Sequence, residues 1–148
     1  SRGLGDVYKR QDVERDANII LNFSENVDAE TGDIEIYKTS GDVLVETIDV
    51  TSGQVTGSGT SEITINPSSN FDSLTEYYVL IDATAFDNSS SGSYAGISST
   101  TALSFTTTNT VPTLTSSVPA NNAIDVERDA NIVLNFDESV DAVDGLCT

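Results

Sequence analysis

The sequence predicts an all-β chain: a β-sandwich of about seven short strands, followed by an incomplete second copy of its first part. Three observations lead there. Clusters of Gly, Ser, Asn and Asp recur roughly every 8–12 residues, and the runs between them alternate apolar and polar side chains. No run of about a dozen residues repeats apolar positions at helical spacing, and Val, Ile and Thr, which suit a pleated, half-buried surface, are abundant. An eighteen-residue stretch, finally, occurs twice.

The strands follow in order. Asn18 to Phe23 turns Ile19, Leu21 and Phe23 to one face, and Glu25 to Gly32 reads as an acidic turn. Asp33 to Lys38 puts Ile34 and Ile36 inward, and Ser40-Gly41-Asp42 is a turn. Val43 to Val50 is the next strand, and Thr51 to Thr60 is a Gly/Ser-rich loop or weak strand. Glu62 to Asn66 places Ile63 and Ile65 inward and stops at Pro67, which cannot donate to a ladder. After a corner at Phe71 to Glu76 comes the most apolar strand, Tyr77 to Ala83, with Tyr77, Val79, Ile81 and Ala83 on one face. Ala85 to Thr100 reads as a long polar loop, and Ala102 to Thr107 closes the sandwich with Leu103 and Phe105 inward.

Asp12 to Ala29 (DVERDANIILNFSENVDA) returns 113 positions later as Asp125 to Ala142 (DVERDANIVLNFDESVDA), with three of eighteen positions changed. A repeat of that length is a whole domain, so the array is one of beads and not a solenoid of short units. The reading divides the chain into 12–108, a sandwich lacking its first strand, a linker at 109–112, and 113–148, the truncated start of a second copy. About thirty residues of the second copy cannot bury a core alone. We expect Thr113 to Val118 or Asn131 to Phe136 either to fold back onto the open edge of the first copy, within or between chains, or to stay disordered.

Residues 1–11 do not match the rest. They carry Arg2, Lys9 and Arg10, half of the six basic residues, and Asp6 to Gln11 resembles a translated sequencing-library adapter. They are expected to be a non-native tail. The single cysteine, Cys147, has no internal partner and lies where the second copy departs from the first, so it is assigned no function.

With these strands in place, the chain resembles the bacterial Ig-like domains of the S-layer protein type, which are similar to fibronectin type III modules. The resemblance rests on Pro112 to Ala123, on Leu134 to Val140 and its earlier copy Leu21 to Val27, on Thr75-Glu76-Tyr77 at the corner, and on Phe105-Thr106-Thr107 at the close. It covers Asp12 to Gly145. It implies an immunoglobulin-like Greek-key sandwich serving as a spacer or adhesion repeat in a large bacterial surface or secreted protein, with neighbouring repeats as partners. Tyr77 would then be a tyrosine corner, its ring inward and its hydroxyl on nearby backbone.

The charge narrows function further. With 24 acids against 6 bases the chain carries −18, and removing residues 1–11 takes away three bases and one acid, leaving −20. Such a surface repels phosphate backbones, so nucleic acid is not an expected partner. No histidine is present, which removes the commonest general base and zinc ligand. No Gly-rich loop joins a strand to a helix, so no nucleotide motif is present. No run long enough to enter a membrane occurs. The chain is read as non-catalytic and extracellular. Calcium is the one cofactor considered, because it takes carboxylate, amide and carbonyl oxygens. The candidate ligands are Asp82, Asp87 and Asn88; a second acidic group is Glu25, Asp28, Glu30 and Asp33, and a third is Asp125, Glu127 and Asp129. The reading preferred over calcium is that all of these are solvated turn residues, with Asp and Asn chosen for turn geometry. The alternative function is an accessory module, binding calcium or carbohydrate beside a secreted hydrolase. A sugar platform would draw on Tyr37, Tyr78, Phe86 and Tyr94.

Overall fold

A computed structural model describes residues 9–142, and these are all strand, turn and loop. The expectations placed on Ser1 to Tyr8 and on Cys147 fall outside them. The chain divides into two units, residues 1–109 and 110–148.

The first unit is a Greek-key sandwich of two sheets. One sheet holds β1 (Lys9–Val13), β9 (Ser104–Thr107), β7 (Glu76–Ile81), β3 (Asp33–Lys38) and β4 (Val43–Asp49), side by side in that order. The other holds β5 (Val55–Thr56), β6 (Thr60–Ile65), β2 (Ile19–Ala29) and β8 (Phe86–Asp87). All neighbours are antiparallel except β1 and β9. The chain passes between sheets from β2 to β3, from β4 to β5 and from β6 to β7, which is what lets one face of each sheet be covered by the other.

The alternation of the sequence supplies the core. Ile34, Ile36, Ile63, Ile65 and Val79 are fully buried, and Ile19, Leu21, Tyr77, Ile81, Leu103 and Phe105 join them. Each such side chain contributes roughly 1.5–3 kcal/mol on leaving water. At one end Phe71 packs its ring on Tyr77 (centroids 4.8 Å apart) and Phe105 (5.1 Å). Arg15 holds Phe71 in place: its Nε–H donates to the Phe71 carbonyl, and the Phe71 N–H donates to the Arg15 carbonyl, both at 2.8 Å. That gives the repeated Val-Glu-Arg-Asp-Ala stretch a structural task.

The Tyr77 ring is buried, and its hydroxyl accepts the Asp72 N–H at 2.8 Å, the geometry of a tyrosine corner. Thr107 completes the corner from the closing strand: its Oγ1 donates to the Asp72 carbonyl at 2.5 Å and accepts the Thr75 N–H at 2.9 Å.

Three local expectations are corrected. Glu25 to Ala29 continues β2 instead of turning: Val27 is buried, and Asp28 and Ala29 pair with Asp87 and Phe86. Ala83 is exposed, because β7 ends at Ile81. The loop after β7 is not wholly polar in its packing; Ala85 and Phe86 are completely buried. Lys9 and Arg10 pair with Ser104 and Phe105 in β9, a ladder that backbone groups form whatever the side chains are, and Val13 packs against the core.

In the second unit β10 (Leu114–Val118) and β11 (Val133–Phe136) pair antiparallel. The two stretches expected to fold back or stay disordered thus pair with one another. Repeat geometry matches repeat sequence: Asp12 and Asp125 both take a left-handed backbone, with φ of 58° and 56°. The turns Ala17 N–H to Glu14 and Ala130 N–H to Glu127 carry the same 3.1 Å hydrogen bond. The apolar residues Leu114, Val118, Val133, Leu134 and Phe136 are nevertheless exposed.

Candidate functional site

Two features of the first unit go beyond packing: an acidic trio at one end of β2 and a groove along its other half. The trio forms because β2 and β8 pair with Asp28 opposite Asp87. The next backbone bond, Glu30 N–H to the Ala85 carbonyl at 2.8 Å, brings Glu30 beside them. One oxygen of each of Asp28, Glu30 and Asp87 lies within 4.8 Å of the others. Like charges facing across a ladder repel. The Glu30 carboxyl is accordingly pushed above the ordinary carboxylate range, first by the charge of Asp87, then by burial, by a hydrogen bond with Asp87 and by Asp28. Three carboxylates supply three of the roughly six to eight oxygens that calcium takes.

The structure redistributes the expected ligands. Asp87 is in the trio. Asp82 instead accepts the Asp33 N–H at 2.8 Å. Asn88 folds its own loop: its Oδ1 accepts the N–H groups of Ser90 (3.0 Å) and Gly92 (2.7 Å). Of the second group, Asp28 and Glu30 join Asp87, whereas Glu25 accepts the Asn88 amide at 3.4 Å. Asp125, Glu127 and Asp129 are exposed around the turn of the second unit.

The aromatic residues considered for a sugar platform do not make one. Phe86 is in the core, Tyr78 is buried beneath Tyr37 with rings stacked at 5.0 Å, and Tyr94 sets its ring edge-on to Phe23 at 5.1 Å.

That last contact borders the groove. It has a volume of about 610 Å³ and runs along β2, with Leu21, Asn22 and Phe23 on one wall and Tyr94, Ile97 and Leu103 on the other. Among the described residues no strand pairs with Ile19 to Phe23 on the flank away from β6; β8 reaches only Asp28 and Ala29. The opposite wall is pinned by Ile97, which exchanges both backbone hydrogen bonds with Ile81 at 2.8 and 3.0 Å.

Against known families, residues 8–107 and again 108–146 match the model of the bacterial Ig-like domain. The chain belongs to that family. The family model thus matches twice in succession, the second time over a much shorter span, and the two spans meet close to the division between the two units. A search of curated proteins and a search of solved structures found no match. The Ig-like fold accounts for the tyrosine corner and the Greek-key order.

Proposed function

We propose that the chain is a length of a tandem array, a spacer or adhesion repeat without catalytic role in a large bacterial surface or secreted protein of the S-layer kind. The observation that carries this reading is the family match to both units in tandem, on top of a stretch repeated at a 113-residue offset. An array of sandwiches extends a chain at fixed length per bead, and each bead folds on its own core. The surface charge of −18 keeps such a chain hydrated and resists collapse of one bead on the next. Neighbouring repeats are its expected partners. Among the described residues no helix is long and apolar enough to cross a membrane.

The parent reading frame tests the proposal. Further copies of the Asp-Val-Glu-Arg-Asp-Ala-Asn stretch at similar spacing, together with an export signal, are the expected finding. A single copy joined to a hydrolase would replace the reading with that of an accessory module. That alternative rests on the acidic trio alone, since the aromatic residues form no platform. Thermal melts in millimolar calcium, set against melts in chelator, decide it: an unchanged melting temperature removes calcium from the account.

A further inference from the structure

The two copies of the repeated stretch have different neighbours. In the second, Val133 to Phe136 is paired by β10; in the first, the equivalent Ile20 to Phe23 has an open flank among the described residues. Hydrogen-bond directions show that this is the same flank. The N–H of Asn66 goes to Gln54 beside β5, so the alternate residues Ile65 and Ile63 turn the other way, to Ile19 and Leu21 of β2. The backbone groups of Ile20 and Asn22 therefore point away from β6. Their repeat equivalents are Val133 and Asn135, and the Asn135 carbonyl accepts the Thr115 hydroxyl of β10 at 3.0 Å. What β10 does on β11 defines what the open flank of β2 accepts.

We propose that the β2 groove is a strand-docking site whose occupant is β10, Leu114–Val118, of a second copy of this chain. The receiving sequence is the one β10 already reads, with Ile20 in place of Val133 as the only change between Asn18–Phe23 and Asn131–Phe136. In the register of β10 on β11, Val118 stands opposite Ile20, Ser117 opposite Leu21, Ser116 opposite Asn22 and Leu114 opposite Phe23. Ser117 and Leu114 then share the inward face of Leu21 and Phe23, which seats the Leu114 side chain beside Phe23 and Tyr94. The small Ser117 fits under the wall formed by Ile97 and Leu103. On β11 the same strand covers no core: Leu114 is 50% exposed and Leu134 52%. A two-stranded sheet of that kind is marginal in water. Exchange onto β2 keeps the same backbone pairing and adds burial against a complete sandwich. Reciprocal exchange closes a twofold dimer and leaves neither β2 edge open.

The test uses the full chain with Cys147→Ser, in two differently tagged forms, one carrying Ile20→Cys and the other Val118→Cys. On mixing and mild oxidation, the expected product is a disulfide-linked heterodimer, and mass spectrometry should map the link to positions 20 and 118. Light scattering of the chain without added cysteines should show the mass rising toward twofold with concentration. Replacing Val118→Cys by Ser117→Cys, which faces the other side, should lose most of the cross-link. Ser117→Pro should abolish both signals, while in dilute solution, where neither chain is docked, the near-ultraviolet spectrum of the first unit's tyrosines should match that of the parent chain, since the substitution touches only β10. The proposal is overturned if the chain stays monomeric without a heterodimer. It is equally overturned if the link forms only within a chain carrying both substitutions, which makes its own β10 the occupant. A cross-link that appears only after Ser1 to Tyr8 are deleted gives the groove to those residues and overturns it as well.

Discussion

At the scale of single residues, two positions show opposite uses of a polar group. The Tyr77 hydroxyl sits in a buried corner and takes the Asp72 N–H, and burial pushes the phenol up from its ordinary value, so it is neutral at neutral pH. Tyr77→Phe keeps the ring contacts with Phe71 and Phe105 and removes only that acceptor. It should cost about 1–2 kcal/mol in urea unfolding, with an unchanged denaturant slope. Glu30 is the reverse case. Its carboxyl is raised by Asp87 and Asp28, so its protonated form is favoured by folding. A group of this sign contributes stability below its unfolded pKa, and the contribution is lost as pH climbs through the folded one. At neutral pH the trio therefore opposes folding. Glu30→Gln should melt above the parent protein at neutral pH, and the gap should close as pH falls below the ordinary carboxylate range. A gap that stayed constant with pH would remove the repulsion argument.

At the scale of elements, local pattern succeeded wherever one strand alone carries the signal. β3 alternates Ile34 and Ile36 with polar residues between turns at Gly32 and Gly41, and the structure bounds it as Asp33–Lys38. The acid-rich half of β2 hid its strand, because only Val27 and the small Ala29 pack on the core there and the pairing partners lie on β6 and β8. Phe86 hid for a related reason: one aromatic residue among turn formers has no period, yet it is fully buried beside Phe23. The acidic trio was split between two expected groups because Asp87 reaches Asp28 only through tertiary pairing. The offset of the repeat led to an expected open flank on β2, and among the described residues no strand pairs there, whereas the wall of Tyr94 and Ile97 could not be read from the sequence. That wall depends on Gly96, whose φ is +76°, and a Cβ there would overlap the Ile81 carbonyl. Gly96→Ala should destabilise by at least about 2 kcal/mol, because it adds left-handed strain to that overlap. Urea denaturation is the measurement, and a cost within 0.5 kcal/mol or so of zero would show that the loop relaxes freely.

For the whole molecule, the uneven distribution of burial sets the behaviour of the two units. Every buried hydrophobic residue among those described lies between Ile19 and Phe105, and the apolar residues of β10 and β11 are open to water. The first unit should therefore melt as one cooperative block, and the second should add no transition of its own. In dilute solution, a chain ending at Asn109 should melt at the same temperature as the full chain. The two should separate as concentration rises. If β10 of one copy docks on β2 of another, docking stabilises the folded receiver by mass action, so the full chain's melting temperature climbs with concentration and the shortened chain's does not. Hydrogen exchange adds the location: protection should grow together at the amides of Ile20, Asn22 and Leu114–Val118, while Ile36 and Val79, already in the core, stay unchanged. Equal melting temperatures at every concentration would mean that the tandem beads of this family share a chain without sharing strands.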